Sequence, residues 1–330
     1  MNKTFFSIIA ISLLLASSFF VFPASSLKMN TTSNGSILYV GGTGFGNFSK
    51  IQDAINASSD GDTVFVYNGT YYENIVVNKS ITLQGQDDEN TVINATIEED
   101  TIIINADNVQ ISKFNITNNF GKCSIYINGN NSLINENLCE NSITLYSSSN
   151  SFIKNNTIKS GGISLFLSNN NEIIYNIIYQ YFWHSNIWGS SDNIIKYNIF
   201  DCLNIGTGIF LGTDLYETKN NIISYNLIKN CDTGIDIYSG KNEITNNDFN
   251  SNDKNIVPRY NGIRFGNFNK IFVFNTCKIR NNYWNEPLVS PKIIIDSYMV
   301  GNNGPNGIAI CFAWDPTPAR EPNCDFGGET

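Results

Sequence analysis

The stretch Asn150-Ser151-Phe152-Ile153-Lys154-Asn155-Asn156-Thr157-Ile158 is one copy of a phrase that recurs between residues 131 and 284. Aligning the copies on the second asparagine of the Asn-Asn pair sets Asn137, Asn156, Asn176, Asn198, Asn226, Asn247 and Asn282 in one column, at spacings of 19, 20, 22, 28, 21 and 35 residues. Three residues before these anchors stand Ile134, Ile153, Ile173, Ile195, Ile223, Ile244 and Ile279. Two residues after them stand Cys139, Ile158, Ile178, Phe200, Ile228, Phe249 and Trp284, so both columns are apolar in every copy. Short apolar alternations repeating at roughly 20 residues, with no helix-length amphipathic run, predict a solenoid whose rungs each supply short strands. Rungs stacked about 4.8 Å apart bury a continuous core that no single rung could bury alone.

The anchor asparagine has a physical role in such a coil. A tight inward turn favours a residue that tolerates left-handed dihedrals, which places the anchor itself at the corner. Its side-chain amide both donates and accepts, so asparagines on consecutive rungs are expected to bond one another in a ladder. Because the position two residues on is apolar, none of the seven anchors lies in an Asn-x-Ser/Thr triplet. Biased codon usage would explain the abundance of asparagine but not its register.

A second signal lies upstream, in Ile51-Gln52-Asp53-Ala54-Ile55, Gly61-Asp62-Thr63-Val64, Asn68-Gly69-Thr70-Tyr71 and Ile81-Thr82-Leu83-Gln84-Gly85. Together with the repeated phrase and the rung length, this opening resembles the NosD-type right-handed parallel β-helix proteins of the pectin-lyase-like superfamily. The resemblance covers about residues 37–285, and the opening is its more specific part. It implies an all-β, single-stranded right-handed parallel β-helix with a short N-terminal capping helix. Surface or extracellular association with carbohydrate is implied more strongly than any one reaction, because a fold of this kind hosts several.

Residues 1–26 read as a secretory signal, with Lys3, an apolar run over 5–22 and Pro23-Ala24-Ser25-Ser26 suited to cleavage. The competing reading is an uncleaved anchor, since the run is just long enough to span a bilayer. After cleavage no membrane contact is expected. A polar segment follows at 27–36, then the β-helix over 37–285, then a proline-rich, non-repetitive cover over 286–330 whose Trp314-Asp315-Pro316 and Arg320-Glu321-Pro322 resemble the closing segment of related surface β-helices. Export agrees with acceptor triplets at Asn30, Asn34, Asn47, Asn56, Asn68, Asn78, Asn94, Asn115, Asn130 and Asn155, of which Asn115 is expected to point outward. The net charge is −9 with only 15% charged residues, and no basic stripe exists to hold phosphates, so nucleic acid is excluded as a partner. Of seven cysteines, Cys202 and Cys231 follow their anchors by four and five residues on adjacent rungs, which brings them within bridging range, and Cys311 with Cys324 is suited to close the tail.

Along the chain, Ser49 is expected to cap a short helix whose Ile51, Ala54 and Ile55 cover the open end of the core. Second strands of the rungs are expected at 125–127, 143–145, 163–165, 209–211, 235–237 and 263–265, with Tyr126, Thr144, Ser164, Phe210, Asp236 and Arg264 facing outward. Longer rungs mark loops at 179–188, 212–219 and 250–260. Such insertions often cluster on a binding face. The glycine-rich turn at 41–46 lacks the Lys-Ser/Thr of a phosphate loop. The acidic triplets Asp87-Asp88-Glu89 and Glu98-Glu99-Asp100 suit a solvated turn better than Ca²⁺, so Ca²⁺ stays an unsupported option and no cofactor is expected.

The strongest site candidate is aromatic. Tyr175, Tyr197 and Tyr225 precede their anchors on three consecutive rungs, Ile177, Ile199 and Leu227 follow them, and neither column should face the core. Tyr181, Trp183 and Trp188 of the adjacent insertion extend the surface. Flat rings suit the faces of sugars, so these residues are the expected glycan contacts. The competing reading is that the tyrosines merely stack on one another. For an enzyme, Asp232, Asp236 and Arg264 form the best charged constellation, since a lyase needs a base beside a uronate carboxylate. A single acid beside an arginine at rung spacing is more often a surface ion pair. Copper, which labels many NosD-type proteins, is not supported by one histidine (His184) and two methionines beyond the start, so no metal site is expected. The reading is a secreted or surface β-helix that binds carbohydrate or cell-envelope components without chemistry. A polysaccharide lyase or epimerase on acidic glycans, or a self-associating envelope component, are the alternatives, and the sequence sets no oligomeric state.

Overall fold

Short β-branched runs separated by Asn, Ser and Gly turns coil into three parallel sheets. In this computed structural model, residues 35–324 are described, apart from 182–183, 214–215, 260–262, 268–269, 275–276, 285–291, 301–306 and 321. Sheet I has eleven strands from Ile37–Val40 to Lys278–Arg280, sheet II nine from Gly69–Tyr72 to Asp248–Asn250, and sheet III nine from Ile75–Val77 to Lys254–Pro258. One coil visits them in turn, as Phe152–Lys154, Thr157–Ile158 and Ile163–Phe166 do. The result is a right-handed parallel β-helix. The isoleucine column pairs in register from Ile134 through Ile153, Ile173, Ile195, Ile223 and Ile244 to Ile279. All seven are buried, as is the column from Cys139 to Trp284.

The anchors form the expected ladder. Asn198 Oδ1 accepts from the backbone N–H of Asn176 at 2.9 Å and from its Nδ2 at 3.0 Å, while Asn198 Nδ2 donates to Ile173 O, Lys196 O and Asn226 Oδ1. The same pattern runs from Asn137 to Asn282. The left-handed corner, however, is not at the anchor. It falls one residue earlier, at Glu136, Asn155, Tyr175, Tyr197, Tyr225, Asn246 and Asn281, with φ between 54° and 57°. The corner residue turns the chain with its side chain outside, which lets the anchor start the next strand with its amide inside.

A second ladder, which the repeat analysis missed, flanks the other edge of sheet I. Ser132, Ser151, Asn171, Asn193, Asn221 and Asn242 stand five residues before successive anchors, and each after Ser132 accepts from the backbone N–H of its predecessor. Left-handed residues again precede them, at Asn131, Asn150, Asn170, Asp192, Asn220 and Lys241. Each sheet I strand from Leu133–Asn135 to Glu243–Thr245 is therefore a short straight piece held between two like corners.

Both ends are closed. The helix α1 (Ile51–Ala57) buries Ile51, Ala54 and Ile55 over the first rungs, as expected. Its cap is not Ser49: the Glu73 carboxylate reaches across and accepts from the N–H groups of Ile51 (2.8 Å) and Gln52 (2.9 Å), which are two of the donors a helix start leaves unpaired. At the other end a four-stranded sheet is built from Ile263–Asn267, Lys270–Phe274, Gly307–Asp315 and Lys292–Val300. The expected rung strand at 263–265 therefore belongs to an antiparallel hairpin of the cover. Its place in sheet III is taken by Lys254–Pro258, inside the stretch expected to be a loop. The 179–188 stretch likewise is not one long loop, since Ile177–Tyr179 extends sheet II and Ser185–Trp188 is a strand of sheet III.

Cys202 and Cys231 form a disulfide across adjacent rungs, at a sequence separation of 29 residues. A loop of that length predicts that reduction lowers the unfolding free energy by about 3.5 kcal/mol. Denaturant titrations of oxidised and reduced protein check this. Cys324 is a free thiol, and the side chain of Cys311, its expected partner, lies outside the described residues. The tail instead docks through backbone, with the N–H groups of Asn323 and Cys324 donating to Asp248 at 2.7 and 2.8 Å.

Candidate functional site

The outer face of sheet III carries two adjacent columns, because alternate residues of each strand point away from the core. Register puts Tyr126, Thr144, Ser164, Asn186, Phe210 and Asp236 in the first column. Tyr146, Phe166 and Trp188 follow in the second. That column then passes Gly212, where φ of +90° and the nearby Ser239 hydroxyl leave no room for a side chain, so Phe210 bridges from the neighbouring column. Phe166 meets Trp188 edge-on at 5.2 Å between centroids, Trp188 meets Phe210 at 6.0 Å, and Phe210 stacks on Tyr238 at 4.8 Å. Arg259 closes the band over the Tyr238 ring.

Beside this band lies an open groove of about 350 Å³, whose lining includes the rings of Phe166, Trp188 and His184 and the polar groups of Asp100, Lys122, Cys123, Asn141, Ser142, Thr144, Ser164 and Asn186. Its polar groups are held in place. Asn186 Nδ2 donates to His184 O at 3.2 Å, and His184 Nδ1 lies 3.2 Å from Thr207 O. Cys123 Sγ is 3.2 Å from Thr144 Oγ1, and burial pushes its thiol up to about 11, which makes it a poor nucleophile at neutral pH. Asp100 is the one carboxylate among the described lining residues. Glycoside hydrolysis by the usual route needs two, about 5–10 Å apart. The groove thus presents ring faces, hydroxyls, the Asn141 and Asn186 amides and the charged Asp100 and Lys122 to solvent.

The tyrosine column forms a separate surface, at the corner between sheets I and II. Its rings lie face to face, with centroids 5.0 Å apart for Tyr175 and Tyr197 and 5.4 Å for Tyr197 and Tyr225. Burial, and then the flanking Tyr175 and Tyr225, raise the Tyr197 hydroxyl above its ordinary pKa. The inner ring faces therefore contact one another, as the competing reading had it, and the expected joint surface of this column with Trp188 does not form. Tyr181 is exposed, and Trp183 lies outside the described residues. Ile199 and Leu227 face away from the core as expected, yet are buried on sheet II.

Comparison with known proteins is decisive for the family. The family model described as periplasmic copper-binding protein (NosD) matches residues 55–303. The chain belongs to the NosD family. A cell surface glycoprotein of Methanothermus fervidus is 40% identical over 100 residues, which is 29% of this chain and 15% of that relative's length. Among solved structures, a pectin methylesterase in complex with a hexasaccharide is 14% identical with a TM-score of 0.44, covering 74% of this chain and 88% of its own. The catalytic domain of an α-1,3-glucanase in complex with nigerose is 13% identical with a TM-score of 0.46, covering 78% and 60%. Likenesses this weak carry no argument about activity.

Copper is the ion named in the family's description. Among the described residues no three His, Cys, Asp or Glu side chains are grouped to hold an ion. The acidic turn at Asp87 is also committed elsewhere, since hydrogen bonds, first from Asn90 N–H, hold its carboxyl below the usual range. The charged constellation also needs correction. Arg264 lies in the terminal sheet rather than above Asp236, and its side chain is outside the described residues. The partner of Asp236 is Arg259, which donates from Nε at 2.6 Å and from Nη2 at 2.7 Å. Asp236, expected to face solvent, is buried under this bidentate pair. The terminal sheet packs on the same rungs through Lys292–Val300. Asp232 accepts from the Gly206 N–H at 2.8 Å in an exposed turn. Asp236 is thus held in an ion pair, and this arrangement was invisible while 250–260 read as a loop.

Proposed function

We propose that this NosD-family chain is an exported surface protein that holds a neutral oligosaccharide in the sheet III groove and does no chemistry on it. The observation that carries this reading is the juxtaposition of the Phe166 and Trp188 rings with the Thr144, Ser164 and Asn186 polar groups along one open groove. Aromatic ring faces select the apolar faces of pyranose rings, and fixed hydroxyls and amides select their hydroxyl pattern. Net charge of −9 disfavours polyuronates, which would meet like charge over most of the surface. Surface placement is supported by the secretory signal read from residues 1–26 and by the cell surface glycoprotein relative.

A glycan array probed with purified protein tests the reading. Wild type is expected to retain a neutral oligosaccharide. Trp188→Ala should weaken that binding at least tenfold, as loss of about 1.5 kcal/mol of ring contact implies, whereas Tyr197→Ala should leave it within about twofold. Binding that follows Tyr197 and ignores Trp188 would move the site to the tyrosine corner.

A further inference from the structure

Beyond the leader, the sequence holds ten Asn-x-Ser/Thr triplets, all before residue 158, and none in residues 158–330. Asparagine supply does not explain this, since residues 1–157 contain 24 asparagines and residues 158–330 contain 29. The fold divides the eight described triplets by accessibility. Asn56 on α1 is exposed, as are Asn68, Asn78 and Asn155 at corners between sheets. Asn47, Asn94, Asn115 and Asn130 are half-buried. Asn47 Nδ2 is tied to Gly41 O at 2.6 Å. Asn130 is engaged at both ends, donating to Asp107 and accepting from the Ser149 N–H. Asn115, expected to present its amide to solvent, has that amide's oxygen buried on sheet II.

We propose that the protein carries N-linked glycans on Asn56, Asn68, Asn78 and Asn155, so that the sugar coat is confined to its amino-terminal rungs while the groove and every later rung stay bare. This goes beyond the groove reading and shares with it only the premise of export. In the transfer, Asn Nδ2 attacks the anomeric carbon of an oligosaccharide activated on a lipid phosphate. The N–C1 bond forms, the bond from C1 to the phosphate oxygen breaks with its electron pair going to the lipid phosphate, and one amide proton passes to a base of the transferase. The glycosylated amide keeps one N–H, so Asn155 Nδ2 can still donate to Asn135 Oδ1, a bond of 3.1 Å here. A half-buried amide could hold a glycan only by displacing its neighbours. None of the eight asparagines lies on the outer face of sheet III, and a sugar coat placed in this way leaves the groove open.

The full chain, secreted from a host that N-glycosylates exported proteins, is digested and its glycopeptides mapped by mass spectrometry. Two versions are compared, one with residues 1–26 as leader and one with a substitute secretion leader. Glycan on at least three of Asn56, Asn68, Asn78 and Asn155, with Asn47, Asn94, Asn115 and Asn130 bare, is the expected result. Glycan on any half-buried site, or fewer than three of the exposed ones occupied in protein secreted with the substitute leader, overturns the proposal. Secretion and occupancy with the substitute leader alone would count against the premise of export while leaving the site assignment standing.

Discussion

Replacing Asn198 with alanine lowers the unfolding free energy by about 4 kcal/mol. The substitution leaves the buried Asn176 N–H without its acceptor and removes one partner each from the buried Asn176 Nδ2 and Ile173 O and from the part-buried Lys196 O. An unpaired buried polar group costs about 1–3 kcal/mol, and the amide also leaves a cavity that its neighbours can only partly close. Lys159→Ala, at an exposed site two rungs away, changes stability by less than about 0.5 kcal/mol and serves as the control. Urea titrations of the two variants beside wild type give the comparison. A small effect at Asn198 would mean that its amide is hydrated rather than buried.

The ladder ends on a different residue, and there the second large effect is expected. Asp315, fully buried, takes the place of the next asparagine: its Oδ2 accepts from Asn282 N–H at 2.9 Å and Trp284 Nε1 at 3.2 Å, and its Oδ1 from Asn281 N–H and Thr317 N–H at 3.1 Å. Asp315→Ala orphans these donors together and detaches the cover from the last rung, with an expected loss of about 4 kcal/mol. Asp315→Asn retains an acceptor in ladder geometry and is expected to lose only about 1 kcal/mol. Thermal and urea unfolding of both variants separates the outcomes. Equal losses would show that the charge rather than the hydrogen-bond pattern is what the site requires.

The rungs were legible because their chemistry repeats at fixed offsets. Isoleucine at three residues before the anchor and an apolar residue two after it stay in register whatever the loop length, since corner, ladder and sheet I strand form one rigid unit. The second ladder sits at an equally fixed offset, yet its position is filled by Ser132 and Ser151 before Asn171, Asn193, Asn221 and Asn242, and the change of residue type hid it. Physically the serine hydroxyl and the asparagine amide do the same work, each accepting from the N–H of the rung before. The groove was harder to see. Tyr146, Phe166 and Trp188, neighbours in one register column, stand nine, ten and twelve residues after their anchors, because rungs of unequal length reach sheet III after different detours. Alignment on the anchor therefore scatters the very side chains that the sheet brings together. Tyr175, Tyr197 and Tyr225 showed the opposite error: a perfect column in sequence, whose rings spend their faces on each other. At the carboxy end, Ile263-Arg264-Phe265 has the alternation of a rung strand, and only its antiparallel pairing with Lys270–Phe274 removes it from the solenoid.

Amide hydrogen–deuterium exchange, resolved at single residues, tests the stack of buried side-chain amides most directly. The backbone N–H groups of Asn156, Asn176, Asn198 and Asn226 each donate to the side-chain oxygen of the next rung and are closed off from water. They are expected to exchange in the slowest class, only through unfolding of the whole solenoid. Exchange at those four positions as fast as at the fully exposed Phe45 would contradict the ladder and the register built on it.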